Sequence, residues 1–302
     1  MPVIIVDNIT KDYGHGRGVF NVSFTVEEGE VFGFVGPNGA GKTTTIRHIM
    51  GFSKPQNGST CVNGFDSWKY ADIIQKELGY LPGEIALPEN LTGTEFIAMM
   101  AELRGVEDMS YTNHLLERFD LNPSGNLKRM SLGMKRKLAI VTAFMHDPRV
   151  LVLDEPTSGL DPLMEDIFVE FIKDEKKRGK TILMSSHIFK VVDNTSSRIA
   201  IIKDGRIVTT VLTEDIRHNE NKTYKLEFVD RKHFERFCGS GFNIISVKPS
   251  INQVRVSVMD KDINVFIMQI AEYDLKFFSE IKFTLEDYFM RFYKRDEIAG
   301  EA

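Results

Sequence analysis

The stretch "GPNGAGKTTT", residues 36–45, decides the fold of this chain. The apolar segment "EVFGFV" (30–35) before it predicts a buried strand. The segment "TTTIRHIMG" (43–51) after it predicts a helix that ends at Gly51. A strand, a glycine-rich turn and a helix N-terminus in this order predict a phosphate-binding loop, because a helix begins with free N–H groups and partial positive charge.

The loop fits the pattern G-x-x-x-x-G-K-[ST], whose residue types each serve phosphate chemistry. Small residues let consecutive backbone N–H groups converge on phosphate oxygens. Lys42 reaches the β- and γ-phosphates as a point charge and so also counts as a candidate catalytic residue. Thr43 offers a hydroxyl to Mg²⁺, and Thr44 can hydrogen-bond another phosphate. The candidate binding residues of the loop are Gly36, Pro37, Asn38, Gly39, Ala40, Gly41, Lys42, Thr43 and Thr44.

A second acidic motif follows in "VLVLDEP" (150–156). The apolar part predicts a buried strand, which ends in Asp154. We expect Asp154 to hold Mg²⁺ through water. Glu155 follows at once, and a carboxylate there can polarise the water that attacks a γ-phosphate.

Bulk properties exclude several classes of protein. The chain has 302 residues, 42% hydrophobic and 27% charged, which is enough for one large or two ordinary domains. A net charge of −5 does not favour nucleic acid as a partner. Cys61 and Cys238 fit no metal or disulfide framework, which favours a reducing compartment. The longest apolar run, "LAIVTAFM" (138–145), is far short of the roughly 20 residues that span a bilayer.

The order of predicted elements indicates two domains. Strands and helices alternate from the N-terminus to about residue 215, which predicts an α/β fold with a mainly parallel sheet. Composition shifts at 215–223. A strand, a helix, two strands and a helix then follow over 223–275, and "TLEDYFMRFYKRDE" (284–297) predicts a closing helix. We therefore predict domains at 1–215 and 223–302.

In these motifs the chain resembles the ATP-binding subunit of an ABC transporter over about residues 1–215. "TSGLDP" (157–162) resembles the family's D-loop, with Asp161 at the contact between subunits. "SSH" (185–187) resembles its switch strand, with His187 as the γ-phosphate sensor. Tyr13 in "KDYG" matches the aromatic residue that stacks on adenine.

The resemblance implies a fold and an organisation. We expect an α/β P-loop NTPase (RecA-like) core with the family's antiparallel β subdomain and a helical subdomain at about 85–140. A small C-terminal α+β domain at 223–302 follows the ATP-binding domain. That domain could bind a regulator, strengthen dimerisation or pack against the main domain.

The segment "RMSLGMKRKLAI" (129–140) stands where the family carries its signature LSGGQ. Ser131 and Gly133 match the serine and the second glycine, whereas Leu132 and Met134 depart from the first glycine and the glutamine. A serine that caps a helix can hold a γ-phosphate together with the helix N-terminus. In the family, that phosphate belongs to ATP held by the opposite subunit. We interpret the basic run 135–137 as a solvated face.

The Q-loop is the clearest departure from the family. The family places a glutamine after a strand like "LGYLP" (78–82), where it touches Mg²⁺ and the attacking water. Here Gly83 and Glu84 follow. Glycine lacks the side chain for that task, and Glu84 reaches the metal only if the loop bends.

The resemblance implies an ATPase that uses ATP and Mg²⁺ and pairs with a second ATP-binding subunit, either an identical or a different chain. It also implies a separate transmembrane permease, a peripheral position at the cytoplasmic face of the membrane, and no nucleic acid. Leu87, Phe96 and Met100 are either core residues or contacts for a permease helix. "YLPGE" and "FTLEDYFMRFY" (283–293) resemble subunits of ABC-2-type exporters. The alternatives are a non-transport ABC ATPase and a nucleotide-dependent regulatory module.

Overall fold

The structure, a computed structural model, describes residues 1–217 and 220–290. It divides into two compact units, one over Met1–Thr213 and one from Glu214 onward, and each is described by itself. Residues 285–290 of the predicted closing helix are helical, and 291–297 lie outside the described residues.

The first unit contains ten strands and seven helices within the described residues. Its strands are β1 (Pro2–Asp12), β2 (Gly18–Glu27), β3 (Val31–Val35), β4 (Asn57–Val62), β5 (Phe65–Asp66), β6 (Gly79–Leu81), β7 (Val150–Asp154), β8 (Thr181–Ser186), β9 (Arg198–Lys203) and β10 (Arg206–Leu212). Its helices are α1 (Lys42–Ile49), α2 (Ala71–Glu77), α3 (Gly93–Arg104), α4 (Ser110–Arg118), α5 (Leu132–Phe144), α6 (Pro162–Lys177) and α7 (Phe189–Thr195).

A six-stranded sheet forms the centre of this unit, in the order β10-β9-β3-β8-β7-β6. All neighbours pair in parallel except β9 and β10, which form a hairpin around Asp204 and Gly205. Every residue of β3, β7 and β8 is buried. Parallel strands read as continuous apolar runs when elements cover both faces of their sheet. The predicted α/β P-loop core is confirmed.

The register of this sheet brings the chemically important strand ends together. In the parallel pairs, Val35 lies beside Ser186 and Asp154 beside Ser185. The loops that follow β3, β6, β7 and β8 therefore leave the same edge of the sheet, where open α/β sheets bind their ligands.

A second, antiparallel sheet of order β2-β1-β4-β5 packs on the same core. Phe24 of β2 stacks on Phe32 of β3 with ring centroids 5.2 Å apart and also touches Phe34. These buried aromatic contacts fix the antiparallel sheet to the strand that leads into the phosphate loop.

The helical segment begins at α3 with a capping box, in which Thr92 and Glu95 satisfy each other's backbone N–H groups. Gly105 ends this helix in the left-handed conformation with φ 66°. Arg104 donates to the carbonyls of Gln75 and Lys76 at the end of α2, at 2.6 and 2.9 Å. Phe96 is 9% exposed and so belongs to the core in this structure.

The second unit contains α8 (Thr213–Arg217) at the boundary, then β11 (Asn221–Phe228), α9 (Arg231–Cys238), β12 (Asn243–Lys248), β13 (Gln253–Met259), α10 (Ile263–Ile270) and β14 (Leu275–Ile281). The antiparallel sheet has the order β12-β13-β11-β14, and the β-α-β-β-α-β order is that of a split β-α-β fold. The sequence pattern did not predict β14. Its pairing with β11 makes "LKFFSEI" a strand.

Candidate functional site at the carboxyl edge of the parallel sheet

The phosphate loop runs from the end of β3 to the start of α1. Gly41 has φ 107°, a conformation that favours glycine. A Cβ on Gly36 would lie 2.2 Å from the carbonyl oxygen of Ile202, so only glycine fits there. Lys42 is 5% exposed, and its Nζ donates to the carbonyls of Gly36 at 2.7 Å and Pro37 at 3.2 Å. The lysine side chain thus lies along the phosphate loop, with its charged Nζ beside two carbonyl groups of that loop.

Asp154, at the end of β7, is fully buried and joins two neighbouring elements. Its Oδ2 accepts from the Thr43 hydroxyl at 2.8 Å, and its Oδ1 accepts from the Ser185 hydroxyl at 2.5 Å. Burial raises the pKa of this carboxyl above its usual value, and the two hydrogen bonds oppose the shift. Thr43 and Asp154 present hard oxygen donors side by side, a set that fits Mg²⁺.

Glu155 lies between a lysine and a histidine. Its Oε1 is 3.1 Å from Nζ of Lys42, and its Oε2 accepts from Nδ1 of His187 at 2.6 Å. The backbone N–H of His187 also donates to Oε2, at 3.2 Å. Glu155 has φ 50°, which is uncommon for a residue with a side chain and recurs at functional sites. The carboxylate is therefore fixed in direction by both neighbours.

A cleft of about 600 Å³ opens over these groups. It is lined by Thr43, Asp154, Glu155 and His187 and by residues of the loop after β6. This volume lies within the roughly 300–1,000 Å³ of small-molecule sites. Tyr80 lines its wall, and burial, with the nearby negative charge of Asp154, raises its pKa to about 12. The cleft therefore brings the carboxylates of Asp154 and Glu155 and the hydroxyl of Thr43 together in one space.

The loop after β6 brings Gly83 against Asp154. A Cβ on Gly83 would lie 3.1 Å from Oδ2 of Asp154, which is tighter than ordinary contact. Glu84 is exposed and lines the same cleft. Gly83 therefore lies close to the Asp154 carboxylate and offers it no side chain.

The signature segment lies at the start of α5. Ser131 is exposed and caps the helix, with its Oγ accepting from the N–H of Met134 at 3.2 Å. Leu132 is 61% exposed and lies close to Gly159, and Gly133 lies near the carbonyl of Gly159. Ser131 and Gly133 are not among the residues that line the cleft of their own chain.

The interpretation of residues 135–137 as a solvated face is wrong for Arg136, which is 2% exposed. Its guanidinium donates to backbone carbonyls of two loops, because the helix turns this side chain inward toward the end of the sheet. Burial lowers the pKa of this group, and the charges of Asp154 and Glu155 oppose that shift.

Two further predicted residues lie outside the cleft. Asp161 is exposed and caps α6, accepting from the N–H of Met164 at 3.0 Å. With Pro162 at its first position, α6 begins directly after this cap. Tyr13 lies in the turn between β1 and β2 with a half-exposed ring, 5.9 Å from Nζ of Lys11.

Sequence reasoning missed Ser185, whose hydroxyl contacts Asp154 and also accepts from the N–H of Glu155 at 3.1 Å. Its signal was a hydroxyl residue within the apolar strand "TILMSS". A buried polar side chain needs a hydrogen-bond partner, and the neighbouring strand ends in the acidic pair.

Comparison with known proteins gives one consistent result. The family model described as ABC transporter matches residues 19–158. An uncharacterized ABC transporter ATP-binding protein of Bacillus subtilis (strain 168), YhcH, is 31% identical over 308 residues, 99% of this chain and 96% of that protein. The bacitracin transport ATP-binding protein BcrA of Bacillus licheniformis is 31% identical over 232 residues, 76% of either chain.

A solved structure described as the ATP binding subunit of an ABC transporter matches with a TM-score of 0.65 and 32% identity. The match covers 71% of this chain and 92% of that one. The phosphate loop and the acidic strand end lie within residues 19–158, which the family model matches. The chain therefore belongs to the ATP-binding proteins of ABC transporters, and its reaction is the hydrolysis of ATP.

Proposed function

We propose that the cleft binds ATP together with Mg²⁺ and that the residues around it have separate roles. The observation that carries this proposal is the contact between the Thr43 hydroxyl and Asp154 beside the buried Lys42. Loop residues 36–44 would cradle the phosphates, with Lys42 at the β- and γ-phosphates. Thr43 and Asp154 would hold Mg²⁺, which would neutralise charge on the phosphate oxygens.

Glu155 and His187 would organise the attack of water on the γ-phosphate. Glu155 accepts the proton of that water or orients it, because its carboxylate is fixed over the cleft. His187 holds Oε2 and is near enough to the same space to sense the phosphate. Lys42 now pairs with Glu155, and arriving phosphates would compete for this cation.

The signature residues would serve a second subunit. Ser131 caps a helix N-terminus, a position suited to an anion, yet it is not among the residues that line its own cleft. Two chains that close head to tail would place Ser131 and Gly133 of one over ATP in the other. Asp161 would lie at that contact, and Tyr13 would stack on adenine. A homodimer satisfies this arrangement, and so does a heterodimer.

The dimer would drive a separate transmembrane permease from the cytoplasmic face of the membrane. Within residues 1–217 and 220–290 no helix is long and apolar enough for a membrane crossing. BcrA, named for bacitracin transport, and the ABC-2-type motifs of the sequence support an exporter. Residues 1–215 would form the ATP-binding domain and 223–302 an accessory domain, since all residues that line the cleft precede 214.

Light scattering of the Glu155→Gln protein, with and without ATP, tests this proposal. The substitution keeps the shape of the side chain and removes its charge, so ATP should bind and persist. We expect a monomer that becomes a dimer when ATP is added. ATP binding without a change in mass would indicate a different partner subunit or a requirement for the permease. Absence of ATP binding would overturn the proposed site.

A mixing experiment tests the head-to-tail arrangement. Lys42→Ala and Ser131→Arg should each inactivate the homodimer. A mixture of the two should regain partial ATPase activity, because one composite site then combines an intact Lys42 with an intact Ser131. A mixture that stays inactive, although mixed dimers form, would contradict the arrangement.

A further inference from the structure

Arg136 is a buried cation bound by main-chain carbonyls. Its Nη1 donates to the carbonyl of Pro82 at 2.9 Å and its Nη2 to that of Gly83 at 2.7 Å. Its Nε donates to the carbonyl of Ser158 at 2.9 Å. The guanidinium thus donates from three nitrogens to two loops, which are 75 residues apart in the chain.

Each of these loops touches the reacting region. The first carries Gly83, which packs against the carboxylate of Asp154. The second carries Ser158, whose N–H donates to the carbonyl of Glu155 at 3.1 Å. It then continues to Asp161, where α6 begins. Arg136 itself is not among the residues that line the cleft.

The first turn of α5 holds the second loop from another side. Leu132 packs on Gly159, and a Cβ added to Gly159 would lie 2.9 Å from the Leu132 side chain. A Cβ added to Gly133 would lie 3.1 Å from the Gly159 carbonyl oxygen. Helix α5 therefore contacts the 158–159 turn in two places. One contact is made by residues 132–133 at the N-terminus of the helix, and the other by the side chain of Arg136.

An arginine suits this position for a physical reason. Its planar guanidinium presents five N–H donors in a fixed fork, so it can bond several carbonyls at once without losing its charge. A lysine has a compact ammonium on a flexible stem and cannot span the same acceptors in one geometry. An apolar residue would leave three carbonyls without this donor.

We propose that Arg136 is a positioning residue for ATP hydrolysis, which ties the loop at Pro82–Gly83 to the loop at Ser158 and holds both against α5. Gly83 then keeps its place beside Asp154, and the segment after Glu155 keeps its place beside the signature helix. Movement of either loop is transmitted to the other through one side chain. The proposal concerns hydrolysis by the cleft and does not depend on the identity of a permease.

Kinetics of two variants, with a matched control, test the proposal. Arg136→Met and Arg136→Lys should lower kcat, by about 10- to 100-fold for Met and less for Lys, because small displacements of reacting groups cost this much. The KM for ATP should change by less than about threefold, since the phosphate loop is not attached to Arg136. Lys135→Met, the same loss of charge one residue earlier on the helix, should retain the parent kcat.

A spin label reports the loop directly. In a chain with Cys61→Ser and Cys238→Ser, the substitution Glu84→Cys places the label on an exposed position next to Gly83. We expect a more mobile spectrum in the Arg136→Met and Arg136→Lys proteins and an unchanged spectrum in Lys135→Met.

An unchanged kcat in either Arg136 variant, or an unchanged spectrum together with a lower kcat, would overturn the proposal. Loss of ATP affinity in step with kcat would also overturn it. If the Met variant fails to fold, the Lys variant decides by the same criteria.

Discussion

Nζ of Lys42 lies 3.1 Å from Oε1 of Glu155, so the cation of the phosphate loop and the carboxylate after β7 form an ion pair. The other oxygen of Glu155 accepts from His187 at 2.6 Å. The direction of this carboxylate is thus set by two residues, one at the start of α1 and one directly after β8. A substitution of His187 tests the orientation of this carboxylate and leaves Lys42 in place.

The first prediction concerns His187→Ala. Loss of the imidazole frees Oε2 of Glu155, so kcat should fall by about 100-fold, as after removal of an aligned hydrogen-bond donor in other active sites. The KM for ATP should change little, because the phosphate loop is intact. Steady-state ATPase kinetics measure both values. His114→Ala at the exposed surface of α4 is the control. Normal kcat in the His187 variant would contradict the assigned role.

The second prediction concerns Ser185→Ala. The change removes the hydroxyl that bonds Oδ1 of Asp154, so more Mg²⁺ should be needed for half-maximal activity and kcat should fall by about 10-fold. Titration of ATPase activity with Mg²⁺ measures the effect. Ser186→Ala is a matched control, because Ser186 is also buried but bonds Ile188 instead. A similar Mg²⁺ requirement in both variants would refute the distinction.

The third prediction concerns Asp154→Asn and the pH dependence of stability. Burial raises the pKa of Asp154 in the folded state. Well above this pKa, Asp154 is ionised in both the folded and the unfolded state. Burying that charge in the folded state costs free energy. The folded state then takes up a proton before the unfolded state does as the pH falls, so that cost disappears.

Without nucleotide and Mg²⁺, Asp154→Asn should therefore raise Tm at pH 7.5 by about 2–4 °C, as expected for roughly 1 kcal/mol in a unit of this size. The gain should shrink toward pH 4. Thermal melts across this range measure it, with Asp166→Asn on the exposed face of α6 as the control. A lower Tm at pH 7.5 would be evidence against a penalty from the buried charge.

The fourth prediction concerns His146 and acid. Burial and the nearby charge of Arg104 lower the pKa of His146 to about 4, from a usual value of 6.5. Between these values the unfolded chain binds a proton that the folded chain does not. Stability should therefore fall as the pH drops from 6.5 toward 4, by at most about 3 kcal/mol from this residue.

His146→Gln should reduce that slope. Urea unfolding followed by the fluorescence of Trp68, the single tryptophan of the sequence, reports the first unit. His48 is buried as well and has a lowered pKa, so some dependence should persist. His114→Gln is the control, and equal slopes in the parent and the His146 variant would rule out its contribution.

Local patterns in the sequence predict much of the fold. The apolar runs predicted β3, β7 and β8, and the pattern around Lys42 predicted the strand, loop and helix that meet there. The first helix predicted within 223–275 is α9 (Arg231–Cys238). The existence of β14 was not predicted, because its pairing with β11 makes it a strand.

The sequence predicted the phosphate loop and the acidic pair 154–155, because each motif is contiguous and its chemistry follows from residue type and spacing. It predicted the histidine after β8 through the resemblance to the family. Only the tertiary structure decided that Ser185 bonds Asp154, that Gly83 packs against the same carboxylate, and that Arg136 is buried between two loops. These contacts join residues from different elements. They depend on the register of the parallel strands and on how α5 is turned against them, and neither is encoded in any single stretch of the chain.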